Sequence, residues 1–436
     1  MALVEFYRFS ISWSRVMSDG TNATINQKGI EYYKNVLQSL KAAKIKPMVT
    51  LYHWDLPQAL QTKYGGWVNE TLVGLFKEYA RLCFKEFGDD VKWWITFNEP
   101  WVVTFLGYGA GQDAPGIKDP GYSPYNAAHT IIKAHAEAYH LYQEEFNQDK
   151  EGKISITLNA DWYEPRTANQ EDKDAAKRAE QFQLGWFAHP IYVNGDYPDI
   201  MKRQVQKKST GTSRLPAFSE EEKKRINGTF DFFGLNHYTT QWISNNATGR
   251  DKPDYSLDQE VDSTRDYQNW PSSGSVWLYV VPWGLRNLLK WIRDEYGNPN
   301  VFITENGMSD RNRTFSGIMN DTHRIFYYKH YINNVLKAIK KDNCNVIGYT
   351  AWSLIDNFEW SRGYEEKFGL HFVNMSDPAR PRVAKDSARY YKQIVKDNGF
   401  PEPRHASSSA FTLDCFWSVF SSGVLTTFIF HLMNKM

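Results

Sequence analysis

Cysteine is nearly missing from this 436-residue chain, which has only Cys83, Cys344 and Cys415. So few exclude a disulfide scaffold, and their spacing offers no metal-ligand pair. Net charge is equally scarce. The 51 Lys and Arg balance the 50 Asp and Glu to +1 at pH 7, which leaves no bulk electrostatic case for a nucleic-acid partner. No fixed-period repeat is visible, and nothing in the pattern asks for a metal or a cofactor. The opening "MALVEFYRFSISWSR" has neither the loose polar start common at domain ends nor the charged-then-apolar start of an export signal.

What is present is an ordinary globular composition, 42% hydrophobic and 23% charged, on a length that suits one large α/β domain. Aromatic residues reach 16%, with 16 Trp; a carbohydrate site and a large aromatic core would both use them. Short apolar runs at 5–13, 46–52, 92–97, 153–159, 230–236, 300–305 and 345–354 read as strands. Amphipathic stretches at 28–44, 71–86, 126–144, 281–295 and 321–341 read as helices between them. Such alternation predicts a parallel sheet covered by helices. The polar stretch 246–269 reads as a long surface loop, and residues 1–400 as a single domain.

The end of the chain differs. A Pro/Ser-rich linker at 401–415 leads into "FWSVFSSGVLTTFIFHLM" at 416–433, where His431 is the sole ionisable side chain. This length is at the lower edge of a membrane-spanning helix, and the small residues before it also fit a lipid-anchor signal. Seven N-x-S/T sequons, at Asn22, Asn69, Asn227, Asn246, Asn312, Asn320 and Asn374, lean toward a secretory route. The expectation is a membrane-anchored protein whose main domain is extracellular or lumenal.

A parallel barrel places its chemistry on the loops after its strands. The polar residues there are Arg8 (within the first strand), His53, Asn98, Glu99, Asn236, Tyr238, Glu305, Asn306, Trp352, and then Glu359 and Trp360. A lone acid at a strand end often only caps the next helix. Two such acids, each beside an Asn at one barrel mouth, suit glycoside hydrolysis, in which one carboxyl donates a proton and the other acts as an anion.

The motifs "TFNEPW" around Glu99, "ITENG" around Glu305 and "AWSLIDNFEWSRGYEEKFGL" at 351–370 resemble the family 1 glycoside hydrolases. The retaining β-glucosidases and β-galactosidases belong there, and the likeness is to the animal lactase-like and klotho-like branch. Supporting stretches are "FYRFSISWSR", "VTLYHWDLPQ" and "WLYVVPWGLR". The resemblance implies a (β/α)8 barrel that removes terminal β-linked glucose or galactose by double displacement, without a cofactor. It implies Glu99 as acid/base and Glu305 as nucleophile, supported by Arg8, Asn98 and Tyr238. It also implies a substrate pocket of His53, Asn236, Trp277, Trp352, Glu359, Trp360 and Phe368, with Glu359 disfavouring 6-phosphorylated sugars. The family's first strand has no counterpart here, so the expected barrel lacks one strand in this chain. A catalytically inactive, klotho-like membrane scaffold is the alternative that this departure raises.

Overall fold

Runs of β-branched and aromatic residues such as "PMVTLY", "WWITFN" and "VFITEN" suit strands buried on both faces. The computed structural model describes residues 4–248, 252–312 and 314–401. Seven strands form one sheet: β1 Phe6–Ser10, β2 Lys46–Tyr52, β3 Trp93–Asn98, β4 Lys153–Asn159, β5 Phe233–Asn236, β6 Val301–Asn306 and β7 Val346–Ala351. They lie side by side in chain order, every pair parallel.

Parallel neighbours require long crossovers, and helices supply them. The main ones are α1 Gln27–Ala42, α2 Thr71–Phe87, α3 Ser123–Leu141, α4 Pro282–Tyr296 and α5 Thr322–Asp342, with α6 Asp386–Asp397 after the last strand. In α2 the buried Leu72, Phe76, Tyr79, Cys83 and Phe87 recur three or four apart, which makes one stripe against the sheet. Pro282 opens α4 and Gly297, at φ +70°, closes it, as the fixed φ of proline and the freedom of glycine favour.

The sheet curls into a nearly closed barrel. Met48, Ile95, Phe232 and Phe302, with Phe6, Trp93 and Ile347 against them, plug the end where the strands begin. The Phe6 ring meets Trp93 edge-on at 5.5 Å and Phe302 at 5.7 Å. Strands β2 to β6 are buried along almost their whole length. In β1 only Arg8 is buried, and in β7 only Val346. These two are the sheet's ends, and no ladder joins them among the described residues.

The first expected strand stops at Ser10. Trp13 instead begins a short helix, Trp13–Val16, and stacks on Tyr79 at 4.8 Å. The polar stretch 246–269 is also more structured than a surface loop. It contains the helical turn Tyr255–Asp258 and the strand Val261–Thr264. Asp258 is buried there with the Arg214 guanidinium and the Tyr125 hydroxyl, both at 2.6 Å. A buried polar residue of this kind needs distant partners that local composition does not reveal. Among the described residues no helix is long and apolar enough to cross a membrane; the segment 416–433 expected to do so lies outside them, as does most of the 401–415 linker.

Candidate active site

Strand β6 ends in Glu305 and Asn306, and β3 ends in Asn98 with Glu99 next. Both acids are buried, Glu305 at 3% exposure and Glu99 at 7%. Glu99 has φ +47°, Trp54 after β2 has +81°, and Trp360 has +48°. Left-handed backbone at non-glycine residues is costly and tends to collect where surrounding structure holds side chains for a task. Here the Glu99 amide is held by a 2.9 Å bond to the Thr157 carbonyl.

The two carboxylates have opposite surroundings. The Arg8 guanidinium pairs with Glu305 through Nη1 to Oε1, and the Tyr238 hydroxyl donates to Oε2 at 2.5 Å. Each oxygen therefore has a donor, one of them cationic, which favours the anion. Glu99 has only an amide: Asn236 Nδ2 donates to its Oε1 at 2.5 Å. Burial, followed by the negative charge of Glu305, pushes the Glu99 carboxyl up to about 8. Asn236 and Arg8 pull it down and Asp161 pushes it further up.

Asn98 ties the two halves together. Its Oδ1 accepts from Arg8 Nη2 at 2.6 Å and from Asn236 Nδ2 at 3.1 Å. That fixes the amide's orientation, so its Nδ2 donates to His53 Nε2 at 3.1 Å. Burial, with the Arg8 charge, holds His53 well below its usual range. The imidazole is therefore neutral, and with Nε2 accepting, its proton sits on Nδ1. Asn236 is oriented in turn by Thr304, whose Oγ1 donates to Oδ1 at 2.7 Å.

Aromatic rings wall the mouth. His53 stacks with Trp352 at 5.9 Å and with Trp360 at 5.7 Å. Trp277, 40% exposed, stands edge-on to Tyr238 at 5.6 Å, and the buried Phe368 does so at 6.1 Å from another side. Glu359 is half-buried, and its Oε1 has no hydrogen-bond partner. Burial and the charges of Glu305 and Glu366 raise its carboxyl to about 8. A carboxyl oxygen left without a partner inside such a wall is suited to a ligand hydroxyl.

The twelve residues expected at the site thus fall into one contact network at one end of the barrel. Sequence reasoning missed Trp54, Thr304 and Asp161. Trp54 donates from its indole to the Asn98 carbonyl at 2.9 Å and packs on Trp360 at 4.6 Å. It directly follows His53 at a strand end, so the strand-end rule could have found it. Asp161, two residues past the end of β4, acts on Glu99 through its charge and could have been found by the same rule; Thr304 acts through Asn236 and carries no such signal. Among the described residues no His, Cys, Asp and Glu group could hold a metal ion.

The profile of Glycosyl hydrolase family 1 matches residues 1–400. Human lactase/phlorizin hydrolase is 52% identical over 406 residues, 92% of this chain and 21% of that protein. This chain therefore spans about a fifth of that relative's length. The human lactase-like protein is 48% identical over 412 residues, 93% of this chain and 72% of that one. In three dimensions, a mutant rice β-glucosidase in a covalent complex with Glc superposes with a TM-score of 0.84 at 41% identity, covering 89% of this chain and 84% of that chain. Motifs, barrel and paired carboxylates agree with these likenesses, and the chain belongs to glycosyl hydrolase family 1.

Proposed function

We propose that this chain is a retaining β-glycosidase that removes terminal β-linked glucose or galactose. The observation that carries the reading is the contrast between the anion clasped by Arg8 and Tyr238 and the buried Glu99 that keeps its proton beside it. Glu305 attacks the anomeric carbon. The glycosidic C–O bond breaks as Glu99 passes its proton to the departing oxygen. The glycosyl ester has no charge on Glu305, so the repulsion that held the proton on Glu99 is gone. Glu99 then takes a proton from water, the water oxygen attacks the anomeric carbon, and Glu305 leaves as a carboxylate.

In this reading Asn98 bonds the sugar 2-hydroxyl, a contact expected to strengthen in the transition state. His53, Asn236, Glu359 and Trp360 take further hydroxyls, Trp352 lies under the ring, and Trp277 faces the aglycone with Phe368 behind Tyr238. The relative that holds Glc covalently supports the double displacement. Hydrolysis of aryl β-glucosides and β-galactosides followed by NMR tests it, with the β-anomer of the sugar expected first. An α-anomer as the first product overturns retention, and no turnover of either glycoside overturns the glycosidase reading.

An extracellular or lumenal, membrane-anchored placement is part of the proposal and rests on the sequons and the apolar segment 416–433 alone. Extraction of the full chain from membranes by alkaline carbonate, without detergent, would overturn the anchor.

A further inference from the structure

Arg324 lies in the first turn of α5, fully buried, and does not touch the paired carboxylates. Its guanidinium instead bonds carbonyls in the segments that follow β6 and β7. Nε donates to the Met308 carbonyl at 3.0 Å, three residues beyond Glu305. Nη2 donates to the Phe368 carbonyl at 2.6 Å and Nη1 to the Gly369 carbonyl at 2.7 Å. Asp321 balances the charge, with Nη1 2.9 Å from Oδ2, while Ser387 at the start of α6 accepts from Nη1 at 3.2 Å and the Tyr328 hydroxyl accepts from Nη2 at 3.4 Å. One turn along α5, Tyr328 donates its hydroxyl to the Trp352 carbonyl at 3.2 Å.

These bonds close the loop 352–370 at both ends. The Phe368 carbonyl that Arg324 holds also accepts from the Ser353 amide at 3.0 Å. Asp356, inside the loop, accepts from the Gly369 amide at 2.9 Å and from the buried Lys385 ammonium at 3.0 Å. The loop is also pressed against the Glu305 strand end. A Cβ on Gly307 would come within 2.0 Å of the Trp352 carbonyl oxygen. Between the pinned ends lie Glu359 and Trp360. A planar fork with five fixed donors can hold several carbonyls in one geometry, which a lysine ammonium on a flexible stem cannot.

We propose that Arg324 and Tyr328 are positioning residues that seat the 352–370 loop against the Glu305 strand end and so set how strongly the site selects among sugars by their hydroxyls. The proposal rests on the glycosidase reading above. Both residues act through carbonyls and bond none of Glu99, Glu305 and Arg8, so their loss is felt first in the loop that carries Trp352, Glu359 and Trp360.

Arg324→Lys, Tyr328→Phe and Glu359→Gln, alone and combined, test it. The readouts are kcat and KM on an aryl β-glucoside and its 4-deoxy and 6-deoxy analogues, with calorimetric binding of 1-deoxynojirimycin. Arg324→Lys is expected to raise KM for the glucoside and to lower its preference over the deoxy sugars by about 10-fold or more, because recognition of a hydroxyl by a built polar site is what gives such ratios. Tyr328→Phe should move the same ratios in the same direction by less. With Glu359→Gln already present, the additional loss from either change should shrink toward none, as expected for coupled residues. Equal losses on all three glycosides, undiminished in the Glu359→Gln background, would mean that Arg324 merely supports the fold, and that overturns the proposal. If Arg324→Lys does not fold, Tyr328→Phe decides alone, and unchanged ratios overturn it. A wild-type chain that neither binds the imino sugar nor cleaves the glucoside overturns the glycosidase reading instead.

Discussion

Glu305 and Glu99 follow the same kind of apolar strand and are buried to nearly the same degree, yet the barrel gives them opposite chemistry. Glu305 receives a guanidinium from β1 and a phenol from the segment after β5. Glu99 receives one neutral amide and the field of Glu305. Burial penalises the anion of both. Direct donors, one of them charged, meet that penalty at the first site and not at the second. The lesson is that a buried acid's role is set by what other strands bring to its oxygens, not by the strand that carries it.

The largest expected effect comes from removing the clasped anion. Glu305→Gln should reduce turnover to background. A 2-fluoroglucoside should label the wild type with one fluorosugar in a mass spectrum and leave this variant unlabelled; a labelled variant would reassign the nucleophile.

Glu99→Gln tests the other half of the comparison. Loss of a general acid should cost about 10² to 10⁴-fold on glycosides with poor leaving groups and far less on 2,4-dinitrophenyl glycosides. With the carboxyl raised to about 8, its protonated form persists through neutral pH and is lost as pH rises through that value. Wild-type kcat/KM should therefore fall on the alkaline side near 8, and the variant should lack that limb.

Tyr238→Phe takes one donor from Glu305 and leaves Arg8 in place. A lost hydrogen bond to a charged group corresponds to a drop of about 10- to 100-fold. The smallest change is Asn236→Ala. It deletes the amide that favours ionisation of Glu99, so the alkaline limb should move up by less than about one pH unit. A downward move would mean that Asn236 holds the protonated form.

Much of this arrangement was legible before folding. Strands 46–52 and 153–159 agree with β2 and β4 at both ends, because each is a short run rich in β-branched and apolar residues that opens on a lysine. Strand 230–236 was too long. Its first residues are engaged elsewhere, with Asp231 accepting from the Ile154 amide through its side chain and the Phe232 carbonyl taken by Ser155. The last strand ends at Ala351 rather than Leu354, where Trp352 and the loop pinned by Arg324 leave the sheet. The left-handed backbone of Trp54, Glu99 and Trp360 had no local signal, since none of these residues prefers that conformation.

The order of residues alone dictated the alternation of strands and helices, the identity of the two acids and their place at strand ends. Side-chain periodicity and strand-end position are local properties, and local chemistry encodes them. Folding alone established that Arg8 would reach Glu305 across 297 positions, that Glu99 would sit beside that charge, and that Arg324 would grip the loop carrying Glu359. Those outcomes depend on the curvature of a parallel sheet, which brings distant strand ends to one mouth and sets the field at each carboxyl only when the barrel has formed.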